Sequence, residues 1–232
     1  MPFTGFPPKG LDLMIENRLM DSHEFYEAHK QEIKKLMIAP MHELCMQLAE
    51  PMLEIDPLFV TTPSRMVSRV RRDTRYTKDK SLYRANMWMF FRRVRPERRM
   101  IPFYYFEVGP ESWSYGCYGC FERGEMDAAR EMILRGDKLF ERARAAVEAS
   151  GGTLNGDAYK RPKFPDAPAA LQPWLNRKNL GVDWVETEDY APVFDGSFYP
   201  QMLERFRQLR PFYEFVCSAR ERAAAPRAEA VR

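Results

Sequence analysis

The sequence predicts an α+β protein, in which an antiparallel sheet of about four or five strands packs against N- and C-terminal helices. Residues 65–121 are rich in β-branched and aromatic side chains that repeat with a period of two, as strands do. Before and after this region, apolar side chains recur at helical spacing. Because the connections between consecutive strands are short, antiparallel pairing is favoured.

The N-terminal helices are predicted from amphipathic spacing and from a capping residue. An amphipathic stretch covers residues 11–20, and Ser22 is a favourable N-cap for a second, longer helix. Pro40 is expected to interrupt that helix, because proline lacks the amide hydrogen that a helix interior requires. Pro51 and Pro57 then indicate a loop.

Four strands are predicted in the middle of the chain, and one more follows later. The predicted strands cover residues 66–73, 84–94, 101–108, 113–121 and 182–185. The cluster at residues 96–99 and the pair Gly109-Pro110 supply two of the turns.

Two helices are predicted in the C-terminal half. The first covers residues 125–149 and ends at Gly151 and Gly152, because glycine commonly terminates helices. The second extends from Phe198 to about Ala219. With 232 residues, of which 45% are hydrophobic, the chain can bury one sizeable core. We therefore predict a single domain over residues 1–220 and a flexible C-terminal tail over residues 221–232.

Targeting signals are not evident in the sequence. Residues 1–10 contain three prolines and lack the apolar segment of a secretory signal. No window approaches the ~18 apolar residues that a membrane helix needs. We therefore expect a cytoplasmic protein with no membrane partner.

The four cysteines do not indicate a disulfide framework. The chain has four, which are too few and too scattered for a disulfide-stabilised fold. Cys117 and Cys120 have the C-x-x-C spacing of a redox pair or of half a zinc site, and both alternatives stay open. A reactive pair favours a helix N-terminus, whereas these residues alternate with their neighbours as in a strand. No metal site and no cofactor is predicted.

Positive charge is concentrated in one part of the chain. Residues 65–99 hold 13 Lys and Arg against three acidic residues, a local balance of +10, whereas the whole chain carries +3. Such a patch attracts phosphates, nucleic acid or acidic small molecules.

The strongest functional signal is segment 72–84, where basic, acidic and hydroxyl side chains share one turn-forming stretch. Guanidinium groups bind carboxylate or phosphate in bidentate geometry. The two aspartates are surrounded by cations, so we expect both to be ionised, as orienting groups or as members of structural salt bridges. The candidate ligand-binding residues of this segment are Arg72, Asp73, Arg75, Lys78, Asp79, Lys80 and Tyr83.

Three interpretations of this segment stay open. The first is a site for a small anionic or phosphorylated ligand, with or without catalysis. The second is a nucleic-acid-binding module, in which a basic aromatic sheet stacks bases. Its stacking residues would be Trp88, Phe90, Tyr104, Tyr105, Trp113, Tyr115 and Tyr118. The third is a structural or interaction protein, in which the charges form an internal ion-pair network.

Segment 72–84, with the sequence RDTRYTKDKSLYR, resembles the signature of the family called domain of unknown function 2461. The resemblance extends to Phe3-Thr4-Gly5-Phe6-Pro7, Phe25-Tyr26-Glu27-Ala28-His29-Lys30, Gly119 with Arg130, Lys160-Arg161-Pro162 and Lys178-Asn179-Leu180. It implies that Arg130, Arg161 and Lys178 join the candidate ligand-binding residues. Leu82 departs from the family pattern, which usually has proline there. The resemblance implies no activity and no cofactor.

Overall fold

The computed structural model of the protein describes residues 2–94 and 100–225. A five-stranded antiparallel sheet has the strand order β1-β2-β3-β5-β4. The strands are β1 (Met87–Phe91), β2 (Phe103–Val108), β3 (Trp113–Gly119), β4 (Thr153–Asn155) and β5 (Leu180–Glu186). The predicted α+β class is confirmed. The turn predicted at residues 96–99 lies outside the described residues.

Along the chain, helices come before, between and after the strands. They are α1 (Pro8–Met20), α2 (His23–Ile33), α3 (Ala39–Ile55), α4 (Pro63–Met66), α5 (Arg123–Leu134), α6 (Lys138–Ser150), α7 (Gln172–Leu175), α8 (Ala191–Asp195), α9 (Phe198–Gln208) and α10 (Arg210–Ala224). None of the helices in the described ranges has both the length and the apolar character needed to cross a bilayer. The predicted tail at 221–232 begins inside α10, and its residues 226–232 lie outside the described residues.

Two compact units can be distinguished. The first comprises Met1–Phe91, Tyr105–Tyr115 and Val185–Leu203, and the second comprises Arg92–Tyr104, Gly116–Trp184 and Glu204–Arg232. In the first unit, α3 and α4 pack against β1. In the second, α10 packs against α5 and α6. The single domain over residues 1–220 stays a prediction.

Pro40 and Pro51 do not interrupt the helical path as the sequence suggests. A π-helical turn at Lys34–Ile38 joins α2 to α3 directly before Pro40, so the missing amide hydrogen is absorbed without a break. Fully buried side chains on both sides of this turn, Ile33 and Leu44 among them, hold the path together. Pro51 lies inside α3, so the predicted loop is wrong at that residue, whereas Pro57 does lie in the loop that follows Ile55.

The strand predicted at residues 66–73 is also wrong. The chain leaves α4 and makes only two isolated antiparallel bridges, Val67 with Met89 and Arg71 with Tyr83. Charged side chains dominate the following residues, and they bond to one another within a loop instead of extending a strand.

Both helices predicted in the C-terminal half are divided. Gly136, with φ of +64°, ends α5, and the Asp137 carboxylate then accepts from the Leu139 amide at 2.9 Å to begin α6. Pro211 lies in the first turn of α10 and separates it from α9, since proline cannot donate the helical hydrogen bond. Strand β4, which pairs antiparallel with β5, was not predicted from the sequence.

Gly136, which follows α5, and Gly124, in the first turn of α5, allow a matched test of the backbone conformation. Gly136→Ala is expected to lower the free energy of unfolding by about 1 kcal/mol, because the left-handed conformation is unfavourable for a side chain. The added methyl group would meet no atom within 4 Å, so the cost comes from the backbone alone. Gly124→Ala, in the first turn of α5, should raise the free energy by about 0.5 kcal/mol by restricting the unfolded chain. Urea denaturation measures both, and equal losses would contradict the assigned conformations.

Candidate functional site

Segment 72–84 belongs to the first unit and is closed by main-chain hydrogen bonds. The Arg72 amide donates to the Leu82 carbonyl at 2.8 Å, and the Arg84 amide donates to the Val70 carbonyl at 3.0 Å. Around the bridge between Arg71 and Tyr83, alternate residues point to opposite faces. Arg72 and Arg84 therefore project on the same side of this short ladder.

Asp21 anchors the segment to the end of α1. It adopts the left-handed conformation, with φ of 44°, and its amide donates to the Asn17 carbonyl at 3.1 Å. Its carboxylate accepts from the amides of Leu82 at 2.8 Å and of Tyr83 at 3.1 Å. The Tyr83 ring stacks on Tyr26 with 4.9 Å between centroids and is only 1% exposed. Tyr83 is thus a packing residue that holds the segment against the N-terminal helices.

The Asp79 carboxylate is the centre of the polar contacts. One oxygen accepts from Arg72 and, at 3.2 Å, from Arg18. The other accepts from the Ser81 hydroxyl at 2.7 Å and from the Ser81 amide at 3.0 Å. The Ser81 hydrogen bonds, followed by the Arg72 guanidinium, hold the pKa of Asp79 well below its usual range. The carboxylate therefore stays ionised, as its cationic neighbours predict.

The remaining candidates of the segment lie on exposed backbone. Arg75 binds Asp73 through two hydrogen bonds, from Nε at 2.9 Å and from Nη2 at 2.6 Å. This pair raises the pKa of Arg75, through the hydrogen bond and then the charge of Asp73. Lys80 donates to the Thr74 carbonyl at 2.8 Å. In the part of the chain that the structure describes, Lys78 makes no hydrogen bond and no ion pair.

A polar cleft of about 410 Å³ opens beside Asp79. It is lined by Arg18, Arg72, Asp79, Arg84, Ala85, Asn86, Glu107, Gly109, Pro110, Glu111 and Ser112. Two of the predicted residues, Arg72 and Asp79, line it, whereas the other five of the segment do not. The structure adds Arg18, Arg84 and Glu107, which the sequence analysis did not select as site residues.

Arg84 is the least satisfied cation of this cleft. Its guanidinium carbon lies 4.3 Å from the centroid of the Trp88 ring. Its Nε atom is buried and has no hydrogen-bond partner within residues 2–94 and 100–225. Burial and then the charge of Arg72 lower the pKa of Arg84, and Glu107 acts in the opposite direction. In the sequence, the feature that could have identified Arg84 is its position at the end of segment 72–84.

The acidic side of the cleft comes from β2 and the turn after it. Glu107 is the one charged residue of β2, and its carboxylate accepts from the Asn86 side-chain amide. The Gly109 amide donates to the Ser112 carbonyl at 3.0 Å and closes the turn that carries Glu111. A Cβ atom at position 109 would lie 2.9 Å from the Asn86 Cβ, so this close approach requires glycine.

In the second unit, Arg130 is used for structure. Its Nε donates to the Leu175 carbonyl at 3.1 Å, and its Nη2 donates to the Arg177 carbonyl at 2.6 Å. Its Nη1 donates to the Asp127 carboxylate at 2.7 Å. The residue is only 4% exposed, and it ties α5 to the chain after α7.

Cations also gather around Tyr159 in the second unit. The Lys163 ammonium lies 4.0 Å from the ring centroid, the Arg130 guanidinium 5.6 Å and the Lys178 ammonium 5.8 Å. Lys163 and then Arg130 lower the pKa of Tyr159 through hydrogen bonds to its hydroxyl. Arg130 and Lys178 thus meet at one ring. Arg161 is exposed and makes no hydrogen bond or ion pair with any described residue.

The comparison with protein families gives one match. A family model described as a conserved hypothetical protein (DUF2461) matches residues 10–215. The chain belongs to this family. No curated protein matches the chain, and no solved structure matches it. The resemblance found in segment 72–84 is confirmed, and the DUF2461 match includes both the cleft and the cations around Tyr159.

The C-x-x-C pair of this DUF2461 chain is not arranged for thiol chemistry. Cys117 and Cys120 are fully buried, and burial raises the pKa of both thiols. Because the thiolate is the reactive form and the metal-binding form, this environment disfavours both alternatives. Within the described ranges, no three side chains of the metal-ligating types lie together.

The lowered pKa of Asp79 predicts an acid-dependent contribution to stability. Its stabilisation should be complete above the ordinary carboxyl pKa, near ~4, and be lost as pH falls through the lower folded value. The difference in unfolding free energy between the wild type and Asp79→Asn should therefore be largest near neutral pH and shrink in acid. Urea denaturation between pH 7 and pH 2.5 measures it. A difference that does not change with pH would show that the network does not hold Asp79 ionised.

The two arginines of the second unit should differ in their effect on stability. Arg130→Met is expected to lower the free energy of unfolding by about 3 kcal/mol, because one buried carbonyl, one partly buried carbonyl and Asp127 lose their donor. Arg161→Met should change it by less than about 0.5 kcal/mol, since the side chain is exposed. Thermal and urea denaturation of both variants test this. An Arg130→Met protein as stable as the wild type would contradict the structural role of Arg130.

Proposed function

We propose that this protein binds a small anionic ligand in the polar cleft beside Asp79. The observation that carries the proposal is the Arg84 guanidinium, which lines the cleft with a buried Nε that lacks a partner among the described residues. A partly buried cation next to a second cation is unfavourable unless a negative charge approaches. Glu107 offsets this effect only in part, since the pKa of Arg84 stays lowered, and an anionic ligand supplies the remaining charge.

The positive charge of the cleft exceeds what Asp79 neutralises. Arg18 and Arg72 share the single Asp79 carboxylate, and Arg84 lies near Arg72 without a share in it. Guanidinium groups offer paired donors that match the oxygens of carboxylate and phosphate groups. Arg72 and Arg84 project from the same face of the ladder, so one anionic group can be bound by both.

The size and the lining of the cleft favour a small polar molecule. Its volume of about 410 Å³ lies in the range of small-molecule sites. The lining is mostly charged and amide side chains rather than the apolar side chains that bind hydrophobic ligands. The proposal concerns binding and assigns no reaction.

The two other interpretations receive less support. Of the aromatic side chains proposed to stack bases, Tyr104, Tyr105, Trp113 and Tyr115 are 8% exposed or less, which removes them as stacking surfaces. The pair of Arg75 with Asp73 fits an internal network, but such exposed pairs contribute little to stability. The unpartnered Nε of Arg84 is not part of any such network.

The test compares two arginines of the same segment. A thermal-shift and calorimetric screen is run with inorganic phosphate, sugar phosphates, nucleotides, amino acids and dicarboxylates at low and at high salt. Any anion that binds the wild type should bind Arg84→Gln about tenfold or more weakly, because a charge-assisted contact is lost. Arg75→Gln, which removes the same charge outside the cleft, should bind like the wild type.

The variants are compared only after circular dichroism shows that both are folded. Equal losses in Arg84→Gln and Arg75→Gln would indicate a general charge effect and contradict the cleft as the site. A screen in which no anion raises the melting temperature would contradict the proposed function. Binding of polynucleotide alone, lost at high salt, would favour the nucleic-acid interpretation.

A further inference from the structure

The cleft beside Asp79 is not uniformly positive. Glu107 and Glu111 line it together with Arg84. Glu111 is exposed and makes no hydrogen bond or ion pair with the residues that the structure describes. Arg84 has an unpartnered Nε. The cleft therefore presents two charges of opposite sign, neither of which has an ion-pair partner among the described residues.

The acidic side is held in place by the fold. Glu107 is fixed by its position in β2, and its carboxylate accepts a hydrogen bond from the Asn86 side chain. The turn that carries Glu111 is closed by the hydrogen bond from Gly109 to Ser112. In addition, the Tyr190 hydroxyl donates to the Gly109 carbonyl at 2.7 Å. These bonds fix the backbone on both sides of Glu111, whose side chain lines the cleft.

This arrangement disfavours ions that carry one sign of charge. A simple anion at Arg84 would gain from the guanidinium but would be repelled by Glu107 and Glu111. A simple cation at Glu111 would be attracted by the carboxylate but repelled by Arg84 and Arg72. A molecule with both charges satisfies both sides, because opposite charges a few ångströms apart attract strongly at a partly desolvated site.

We infer that the ligand of this cleft is a small zwitterion, whose carboxylate or phosphate binds Arg84 and whose ammonium group binds Glu111 and Glu107. This inference rests on the proposed function and specifies its ligand class. Amino acids and phosphate monoesters of amino alcohols have this chemistry, and both are small enough for the cleft. Arg72 stays bound to Asp79 and supports the anionic end.

Matched pairs of ligands test the inference. Phosphoethanolamine is compared with ethyl phosphate, and glutamate is compared with glutarate, by titration calorimetry at low salt. The amine-bearing member of at least one pair should bind about tenfold or more tightly than its amine-free partner. The phosphate pair and the carboxylate pair distinguish the two possible anionic groups.

A charge-removing variant provides the second arm. Glu111→Gln should weaken the binding of the zwitterion about fivefold or more and should leave the amine-free partner unchanged or more tightly bound, because a repulsive charge is gone. Glu16→Gln removes the same charge from an exposed position on α1 outside the cleft, and it should preserve the wild-type preference. Opposite effects on two ligands cannot come from partial unfolding.

The outcomes separate this inference from the proposed function. If both members of each pair bind equally and both depend on Arg84, the cleft binds anions and the zwitterion inference is wrong. The inference is also wrong if anions of the earlier screen bind through Arg84 but neither amine-bearing ligand does. If no ligand of any kind binds, the proposed function is wrong as well.

Discussion

The contacts of the Asp79 carboxylate are the interaction on which the candidate site depends. Residues 73–81 have few apolar side chains, so burial cannot hold this loop, and hydrogen bonds must do so. Asp79 supplies them by accepting from Arg72, Arg18 and Ser81. Because these donors come from a helix and from both ends of the loop, one ionised group joins all three. It also occupies two of the three arginines of the cleft and leaves Arg84 for another partner.

The segment 72–84 therefore has two sides with different roles. On one side, Arg75 binds Asp73, and Lys80 donates to the Thr74 carbonyl. On the other, Arg72 and Arg84 face the cleft. Tyr83 holds the segment against the N-terminal helices by packing on Tyr26. A dense cluster of charge in a sequence thus contains loop-forming pairs as well as groups that face a cavity.

The sequence predicted the elements whose patterns are local. The alternation in β1, β2 and β3 and the turn at Gly109-Pro110 identified the hairpin region correctly. The strand predicted at 66–73 was wrong because the alternating pattern of side chains was extended into charged residues that bond to one another within a loop. The break between α5 and α6 could have been predicted from Gly136 followed by Asp137, since glycine commonly ends helices and aspartate commonly begins them. Arg18 and Glu107 could not be found in the same way, because only the tertiary fold brings α1 and β2 to segment 72–84.

The cleft depends on the angular positions of two residues around the end of α1. Arg18 and Asp21 are three positions apart, and both contact the loop, one through Asp79 and the other through the amides of Leu82 and Tyr83. A single residue inserted between them would rotate Asp21 by about 100° around the helix axis relative to Arg18. Only one of the two contacts could then be made. The distance between these residues along the chain is therefore as much a determinant of the cleft as their identity, and length changes in this turn would be more damaging than most substitutions.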